Sequence, residues 1–304
     1  MPVHRLTSVT VGVPDVAANV AFYEEFGLVQ SSPRVLASRD GGDQLRLVPA
    51  DRRRLLTLGL GVDDPDDLDR VVRDVSRLGL PAERGREAVR VVDPGTGVEV
   101  VVEVAEHVTS ADARDVPASN APGRRDRKHA RSSALDRTGS VRPRKLGHVV
   151  MGSTDSELSH RLFVDGLGFK VSDRVEGHAS FLRCSTDHHN VLLQAAPIQF
   201  LHHTSWQVDD VDEIGRGARA LLDVDPGRDV WGLGRHYIGS NFFWYFRDPA
   251  GNFAEYYSDM DVIVDDELWR PGTFDDMRGL YAWGPAVPAE FVLPKDVAEL
   301  IPAG

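Results

Sequence analysis

The sequence repeats one pattern at an offset of about 140 residues, and this repeat constrains the fold more than any other feature. A β-rich run at 5–11 precedes a helical pattern that ends at 26–28, and the run at 145–151 precedes one that ends at 167–169. The second pair of segments is more similar still. Residues 54–64 align with 200–210, and each segment continues into an acidic helix start, where the helix dipole favours negative charge.

Four units of about 50 residues therefore begin near residues 5, 54, 145 and 200. Each opens with a strand pattern, continues into a helix pattern, and ends in shorter strand-like runs separated by turn residues. We predict a βαβββ module for each unit. One such module leaves a sheet face uncovered, so two would pair into a curved half-barrel. The predicted class is α+β, with two modules in each of two domains.

A charged segment separates the two halves. It carries nine Lys and Arg residues and five Asp and Glu residues, together with Ser, Pro and Gly, and this composition favours a solvated linker over an arm that binds nucleic acid. We expect an N-terminal domain without a metal over 1–105, the linker over 106–144, and a C-terminal metal-binding catalytic domain with its tail over 145–304.

Composition excludes several classes of protein. The net charge of −12 argues against a partner recognised through its phosphates, so we expect no nucleic acid. A single cysteine, Cys184, rules out an intramolecular disulfide and a Cys-rich zinc module. No apolar run approaches the ~20 residues of a membrane helix, and no signal-peptide core follows Met1. We therefore expect a cytoplasmic protein that binds no membrane.

The two halves differ at three aligned positions. Where the second half has His148, His203 and Glu255, the first half has residues that do not readily hold a metal, and the alignment matches them as Ser8, Thr57 and Val100. Period-2 alternation places each of the second-half residues on a strand face whose other side chains are mostly non-polar. Because both modules share the concave face of a half-barrel, the three side chains could converge on one point.

Two imidazoles and one carboxylate form the facial triad that is typical of non-haem Fe(II) oxygenases, and it leaves three positions of an octahedral ion open. This ligand set suits Fe(II), with Mn(II) possible, and the absence of thiolates argues against structural zinc. The alternative is that His148 and His203 are ordinary core histidines and that Glu255 lies on the surface of an edge strand. The joint appearance of all three favours the metal.

Beyond the triad, the second half carries a series of short motifs in a fixed order. They are Gly234-Arg235-His236, Trp244-Tyr245, Asp248-Pro249, Gly251-Asn252 and Glu255. With the four modules, they resemble the type I extradiol catechol dioxygenases of the vicinal oxygen chelate superfamily, the group that includes 2,3-dihydroxybiphenyl 1,2-dioxygenase. Trp244 departs from that pattern, where an aliphatic residue or Phe is more usual.

The resemblance implies that His148, His203 and Glu255 hold Fe(II). It also implies catalytic roles for His189, His236 and Tyr245. The expected reaction is insertion of O₂ into a catechol-type aromatic substrate with extradiol ring cleavage. Because members of the family commonly form homo-oligomers, we expect the same here.

The residues around the triad leave alternatives open. His189 is a candidate acid or base near neutral pH, but His188 and His189 could also form a solvated turn. His236 lies in a Gly-rich insertion that the first half lacks, which favours a role at the site. Tyr245 could be an ordinary strand aromatic. His202 should point away from the face that carries His203, and we expect it to take no part.

Other functions share the triad. A glyoxalase-type isomerase and an oxygenase acting on an α-keto acid also chelate vicinal oxygens at a metal. A protein that binds an aromatic compound without catalysis would be expected to lack a complete triad. The positions of His189 and Tyr245 and the four-module length favour extradiol cleavage.

Overall fold

The computed structural model describes residues 3–110, 118–274 and 279–301. It confirms the four βαβββ modules, whose first strands begin at Val3, Arg54, Leu146 and Phe200. The strands of the first half are β1 (Val3–Val13), β2 (Val29–Ser32), β3 (Val35–Ser38), β4 (Gly42–Pro49), β5 (Arg54–Val62), β6 (Glu83–Arg84), β7 (Ala88–Val92) and β8 (Glu99–Val104). Those of the second half are β9 (Leu146–Ser153), β10 (Lys170–Val175), β11 (Ala179–Arg183), β12 (Val191–Ala195), β13 (Phe200–Gln207), β14 (Asp229–Arg235), β15 (Phe242–Arg247), β16 (Phe253–Ser258) and β17 (Gly272–Phe274).

The helix of each module begins at an aspartate. The side chains of Asp15, Asp64, Asp155 and Asp210 accept hydrogen bonds from backbone N–H groups of the first turn, which otherwise have no partner within the helix. These caps fix where the chain leaves its first strand. The helices are α1 (Val16–Glu25), α2 (Pro65–Arg77), α3 (Ser156–Arg161, continued by a π-helical turn over Leu162–Gly166) and α4 (Val211–Val224).

Each half forms one sheet, and the two sheets have the same internal symmetry. In the first, the strand order is β2-β3-β4-β1-β5-β8-β7-β6; in the second it is β14-β15-β16-β13-β9-β12-β11-β10-β17. The first strands of the two modules pair antiparallel at the centre, and each also pairs in parallel with the last strand of a module. This duplicated arrangement places the first and last strands of all four modules at the middle of the sheets.

The register corrects one of the sequence alignments. Val101, and not Val100, occupies the position equivalent to Glu255. Val101 pairs with Gly59 and Glu255 pairs with Ser205, and Gly59 and Ser205 are aligned positions of the two halves. The turn that precedes this strand is one residue longer in the first half. It is closed there by a hydrogen bond from Asp93 N to Val98 O, and in the second half by one from Asp248 N to Asn252 O.

One hydrophobic core runs through both halves. The two turn aspartates are held across the interface by the opposite half. Ser159 donates to Asp93 at 2.8 Å, and Tyr23 donates to Asp248 at 3.4 Å. The Phe26 and Tyr256 rings stack across the same interface with centroids 4.0 Å apart. The halves are therefore packed against each other as well as joined by the chain.

The end of the charged linker packs against the two halves through buried ion pairs. Arg137 is mostly buried and pairs with Asp210 and Glu213, and the buried Arg144 pairs with Asp40 and Asp209. The expectation of a solvated linker is therefore wrong for this part, because these arginines neutralise carboxylates at the junction of the halves. Residues 118–131 are almost entirely exposed. The domain boundaries at 105 and 145 remain a prediction.

The C-terminal segment returns to the second sheet. β17 adds to its edge beside β10, and two short helices follow, α5 (Ala289–Val292) and α6 (Lys295–Ala298). Arg53 binds Asp296 of α6 and the carbonyl oxygen of Leu201, which ties this segment to both halves. Within the described ranges, no helix is long and apolar enough to cross a membrane.

Candidate metal centre and active site

Three buried side chains of the second half bring one ligand atom each to a common point. The Nε2 atom of His148 lies 3.1 Å from Oε2 of Glu255, and Nε2 of His203 lies 3.5 Å from the same oxygen. The two nitrogens are 3.4 Å apart. The structure therefore brings together the three residues that the sequence comparison selected.

The central strands place these side chains on one face. His148 on β9 and Glu255 on β16 both lie opposite Ser205 of β13 in the ladders, so all three point to the same side of the sheet. His203 lies two residues before Ser205 and shares that side. The convergence therefore follows from strand register and from the pairing of two modules.

The spacing fits a transition-metal ion. With metal–ligand bonds of about 2.1 Å, neighbouring ligand atoms lie about 3.0 Å apart in octahedral and about 3.4 Å apart in tetrahedral geometry. Glu255 is completely buried, and among the residues that the structure describes none donates a hydrogen bond to its Oε2. A buried carboxylate oxygen without a donor is costly unless a cation is beside it. The residues fit an ion bound by two imidazoles and one carboxylate.

Electrostatics keep Glu255 ionised. Burial alone would raise the pKa of its carboxyl, but the imidazoles of His148, His236 and His203 outweigh burial and hold that pKa below its ordinary value. Burial, with the adjacent His202, holds the pKa of His203 well below its usual value. A carboxylate and a neutral imidazole are the protonation states in which these groups bind a metal.

His202 takes part in the site, which corrects the expectation that it does not. A β-bulge between Leu201 and His203 shifts the register of β13, and the Nδ1 atoms of His202 and His203 lie 2.7 Å apart. The other nitrogen of His202, Nε2, lies 2.6 Å from the carbonyl oxygen of Phe291.

These contacts set the direction of the hydrogen bonds. A carbonyl only accepts, so His202 Nε2 carries the proton and donates to Phe291 O. Burial lowers the pKa of His202 to about 4, so its ring is neutral near pH 7 and its Nδ1 accepts from His203 Nδ1. His203 therefore presents its Nε2 lone pair to the metal position. Hydrogen bonds of this kind fix the tautomer and orientation of metal-binding histidines.

His189 is buried beside the three candidate ligands. Its ring centroid is 4.3 Å from that of His148, and its exposed fraction is 4%. His188 is fully buried, so the alternative of a solvated turn is wrong. Burial, reinforced by His148 and His188, holds the pKa of His189 well below its usual value. His189 is therefore a neutral imidazole close to the position of the ion.

His236 and Tyr245 form a hydrogen-bonded pair beside Glu255 and His203. The Tyr245 hydroxyl lies 2.9 Å from Nε2 of His236, whose Nδ1 lies 2.5 Å from the carbonyl oxygen of Leu280. Because that carbonyl takes the Nδ1 proton, the His236 tautomer with its lone pair on Nε2 accepts from Tyr245 O–H. Burial and the charge of Glu255 raise the pKa of Tyr245 well above its usual value, so its hydroxyl keeps its proton.

A cavity of about 430 Å³ opens beside these residues. Its lining includes His236 and Gly239, and an added Cβ atom at Gly239 would lie 3.4 Å from the His189 ring. Three aromatic side chains, Tyr237, Trp269 and Phe274, contribute to the same lining. The cavity thus offers a planar ligand room next to the candidate metal position.

Sequence reasoning missed the residues that support the site from a distance. Phe291 and Leu280 act through backbone carbonyls, which carry no sequence signal. Asn241, whose amide lies 3.4 Å from Oε1 of Glu255, falls in the same insertion as His236 and could have been found by comparing the two halves. Asp173 on β10 binds His188 in the loop before β12, and only the fold brings these two together.

A second cluster with metal-binding side chains lies at the surface of the first half, and it differs from the buried one. His107 Nε2 lies 2.8 Å from Asp63, and the His107 ring stacks on His4 at 3.8 Å. His4 Nε2 lies 3.1 Å from the Ala105 carbonyl oxygen. Asp63 and His107 are more than half exposed, so solvent already satisfies this cluster.

Comparison with known proteins identifies the family to which the chain is related. The model of the Glyoxalase/Bleomycin resistance protein/Dioxygenase superfamily matches residues 145–256. Metapyrocatechase 2 of Cupriavidus necator is 30% identical over 300 residues, which cover 95% of this chain and 92% of that protein. The manganese-dependent 2,3-dihydroxybiphenyl 1,2-dioxygenase of Geobacillus genomosp. 3 is 24% identical over 79% of each chain.

A solved structure supports the same placement. The Mn(II)-bound glyoxalase from Novosphingobium aromaticivorans has a TM-score of 0.72 and 26% identity, with 94% of each chain covered. The similarity to metapyrocatechase 2 extends over both halves, and the superfamily model falls on the modules that carry the candidate ligands. The chain belongs to the extradiol dioxygenases of the vicinal oxygen chelate superfamily.

Proposed function

We propose that this chain is an extradiol dioxygenase that opens the ring of a catechol-type substrate with O₂. The observation that carries the proposal is the convergence of His148 Nε2, His203 Nε2 and Glu255 Oε2 within 3.1 to 3.5 Å of one another. Membership of the family supports it. In the overall reaction both atoms of O₂ enter one product, and the ring carbon–carbon bond beside the two hydroxyls breaks.

We assign His148, His203 and Glu255 as the metal ligands. When bound there, Fe(II) or Mn(II) supplies a Lewis acid that eases loss of the catechol protons and couples substrate electrons to O₂. An ion held by these three side chains would keep room for a catechol and O₂. The ligand types suit both ions equally, and we propose Fe(II) as the resident metal from the family resemblance.

We assign His189 as the acid and base of the reaction. It is a neutral, buried imidazole next to His148, so it can accept a proton from a substrate hydroxyl and later return it. A proton transfer of this kind typically contributes about 10²–10⁴-fold to rate. Burial among rings also excludes water, which would compete for the proton.

We assign Tyr245 and His236 to orient the substrate. Tyr245 retains its proton because burial and Glu255 disfavour the phenolate, so its hydroxyl can turn from His236 and donate to a catechol oxygen. His236 lies 3.7 Å from Glu255 Oε1 and is held by Leu280, which fixes the direction from which it meets the substrate. Tyr237, Trp269 and Phe274 of the adjoining cavity favour a planar aromatic substrate.

The experiment is a substrate panel with metal-loaded protein. The chain is purified without oxygen, loaded with Fe(II) or Mn(II), and mixed with 2,3-dihydroxybiphenyl and smaller catechols. We expect one O₂ consumed per substrate and a ring-opened product that absorbs visible light. Stoichiometric metal without O₂ uptake across the panel would refute ring cleavage.

The same experiment separates the rival functions. The similarity to a structure described as a Mn(II)-bound glyoxalase favours an isomerase as the second candidate. An isomerase would act on its substrate without consuming O₂. An α-keto acid oxygenase would consume O₂ only with its keto acid. A protein that only binds aromatic compounds would take up the catechol unchanged and need no stoichiometric metal.

We also propose that the chain acts in the cytoplasm as a homo-oligomer, with catalysis in the 145–304 domain and a metal-free domain over 1–105. The oligomer follows from the family resemblance, and the location from the sequence composition. Light scattering on the eluted holoenzyme tests the first. Cell fractionation tests the second, and metal analysis of first-half variants tests the assignment of the domains.

A further inference from the structure

We propose that Asp173 and His188 are positioning residues that hold His189 in one tautomer, with its proton on Nδ1 and its Nε2 free for the substrate. The inference rests on the proposed function and adds two residues to that site. It starts from a buried hydrogen-bonded chain. Asp173 Oδ2 lies 3.0 Å from His188 Nε2, and His188 Nδ1 lies 3.1 Å from His189 Nδ1.

All three members of this chain are buried, so water does not take over their hydrogen bonds. The exposed fractions are 6% for Asp173, 0% for His188 and 4% for His189. Trp269 packs edge-on against the His188 ring, with centroids 5.3 Å apart, and donates from Nε1 to the carbonyl oxygen of Ser172. The geometry of the chain is therefore fixed by packing as well as by hydrogen bonds.

The acceptor at the far end sets the direction of the chain. The Asp173 carboxylate can only accept, so His188 Nε2 carries a proton and donates it. In the tautomer with its proton on Nε2, His188 has its lone pair on Nδ1, and the atom facing that lone pair at 3.1 Å is His189 Nδ1. A hydrogen bond between these two nitrogens therefore needs the His189 proton on Nδ1. His189 Nε2 then keeps the lone pair that takes a substrate proton.

The same arrangement occurs a second time in the site. The Phe291 carbonyl orders His202 and through it the candidate ligand His203. In each case a buried acceptor binds a first histidine, which we call the helper (His188 or His202), and the helper binds the histidine that follows it in the sequence. The helper precedes the working residue in the sequence, and the two Nδ1 atoms meet. The pair at 188–189 has a carboxylate where the pair at 202–203 has a carbonyl.

Asp173→Asn reverses the chain while keeping the shape of the side chain. Asp173 Oδ1 accepts from Gly272 N at 2.6 Å, so the oxygen of an asparagine must stay there and its NH₂ group faces His188. His188 must then accept at Nε2, donate from Nδ1, and force the His189 proton onto Nε2. A carboxylate-to-amide change that reverses a catalytic histidine tautomer is known to cut turnover severely.

The first test reads the tautomer without activity. The full chain is labelled with ¹⁵N-histidine, kept metal-free near neutral pH, and recorded in a long-range ¹H–¹⁵N correlation spectrum. The His189 signals are assigned with His189→Phe. We expect the wild type to show a protonated Nδ1 and an unprotonated Nε2, and Asp173→Asn to show the reverse. A wild-type His189 protonated on Nε2 would overturn the proposal.

The second test uses metal-loaded enzyme. Asp173→Asn should lower kcat by about 10- to 100-fold, within the contribution of one acid–base group, with KM and metal content unchanged. His188→Gln should lower kcat similarly. Asp187→Asn is the matched control, because Asp187 is similarly buried and precedes His188 in the chain but binds Lys145. An unchanged kcat in Asp173→Asn would overturn the proposal.

A double variant separates positioning from general damage to the fold. If Asp173 acts through His189, adding Asp173→Asn to His189→Phe should cause no further loss. A full additional loss in that background would contradict the proposal. Failure of the wild type to cleave any catechol would refute the proposed function instead, and the NMR reading of the tautomer would still decide this inference.

Discussion

The two halves of this protein share one scaffold and differ in what the scaffold carries. Ser8, Gly59 and Val101 occupy the ladder that carries His148, Ser205 and Glu255 in the second half. Strand order and register are the same around both ladders. The duplicated fold thus provides two equivalent sheet faces, and the candidate ligands occur on one of them.

The difference extends beyond the three candidate ligands. His202, which orders His203, is matched by Leu56 in the first half. The carbonyls of Phe291 and Leu280 come from the C-terminal segment, which packs on the second sheet. A working site therefore needs an outer layer of hydrogen bonds that the module does not itself contain, and grafting only the ligands would leave that layer missing.

The largest expected difference between the halves concerns the ligands. Glu255→Ala should abolish both stoichiometric metal and catechol cleavage, because the ion loses its one anionic ligand. The matched variant Val101→Ala changes the equivalent position and should leave both intact. Metal analysis and O₂ uptake measure the two effects. Equal losses in the two variants would remove the functional distinction between the halves.

A smaller effect is expected at His189. His189→Phe should keep its metal and lose about 10²–10⁴-fold in kcat, because the acid–base group is lost while the ligands remain. Ladder register makes Asp43 its counterpart in the first half. Asp43→Ala should turn over like wild type. Steady-state kinetics on metal-saturated protein measure kcat of both variants. A His189→Phe variant with the kcat of the wild type would exclude the assigned role.

The outer layer should matter less than the residues that meet the substrate. His202→Leu installs the residue of the first half and removes the hydrogen bond that orders His203. We expect metal affinity to fall about 10–100-fold, the usual cost of losing such a partner. Competition with a metal-ion indicator measures this, with Leu56→Ala as the control. Wild-type affinity in His202→Leu would mean that the contact is incidental.

The smallest effect is a pH dependence of stability. The folded pKa of His202 is about 4, below the ordinary value of 6.5, so the unfolded chain binds the proton first as pH falls. Stability from this group is complete above pH 6.5 and is lost toward pH 4. Between pH 7.5 and 5.5 we expect the metal-free chain to lose about 1 kcal/mol through it. Urea unfolding should show a smaller loss in His202→Leu, and equal losses would contradict this account.

Most of the fold could be predicted from the sequence because the sequence is repeated. Alternation, aspartate caps and turn residues occur in every module, so strand and helix order could be predicted from 5–11 and its three counterparts. The candidate ligands could also be found, because aligning the two halves of one chain shows a histidine, His148, where the first half has Ser8. The equivalence of Glu255 with Val100 failed by one residue because a single extra turn residue is invisible to an alignment of strands.

The contacts between distant segments could not be predicted. His202 was expected to point away, because regular alternation does not anticipate the bulge that brings it to His203. Asp173 and His188 are fifteen residues apart and meet only when β10 joins its sheet. The docking of Arg144 against Asp40 likewise depends on how the halves pack. Such contacts are set by tertiary structure, which local patterns do not encode.

The most direct test of the account is anomalous diffraction from crystals of the full chain loaded with Fe(II) or Mn(II). We predict one strong peak in the second half, bonded by His148 Nε2, His203 Nε2 and Glu255 Oε2 at about 2.0–2.2 Å. The face of the first half that carries Ser8 and Val101 should show none. A peak only at the His4–Asp63–His107 cluster, or no peak beside Glu255, would contradict the account.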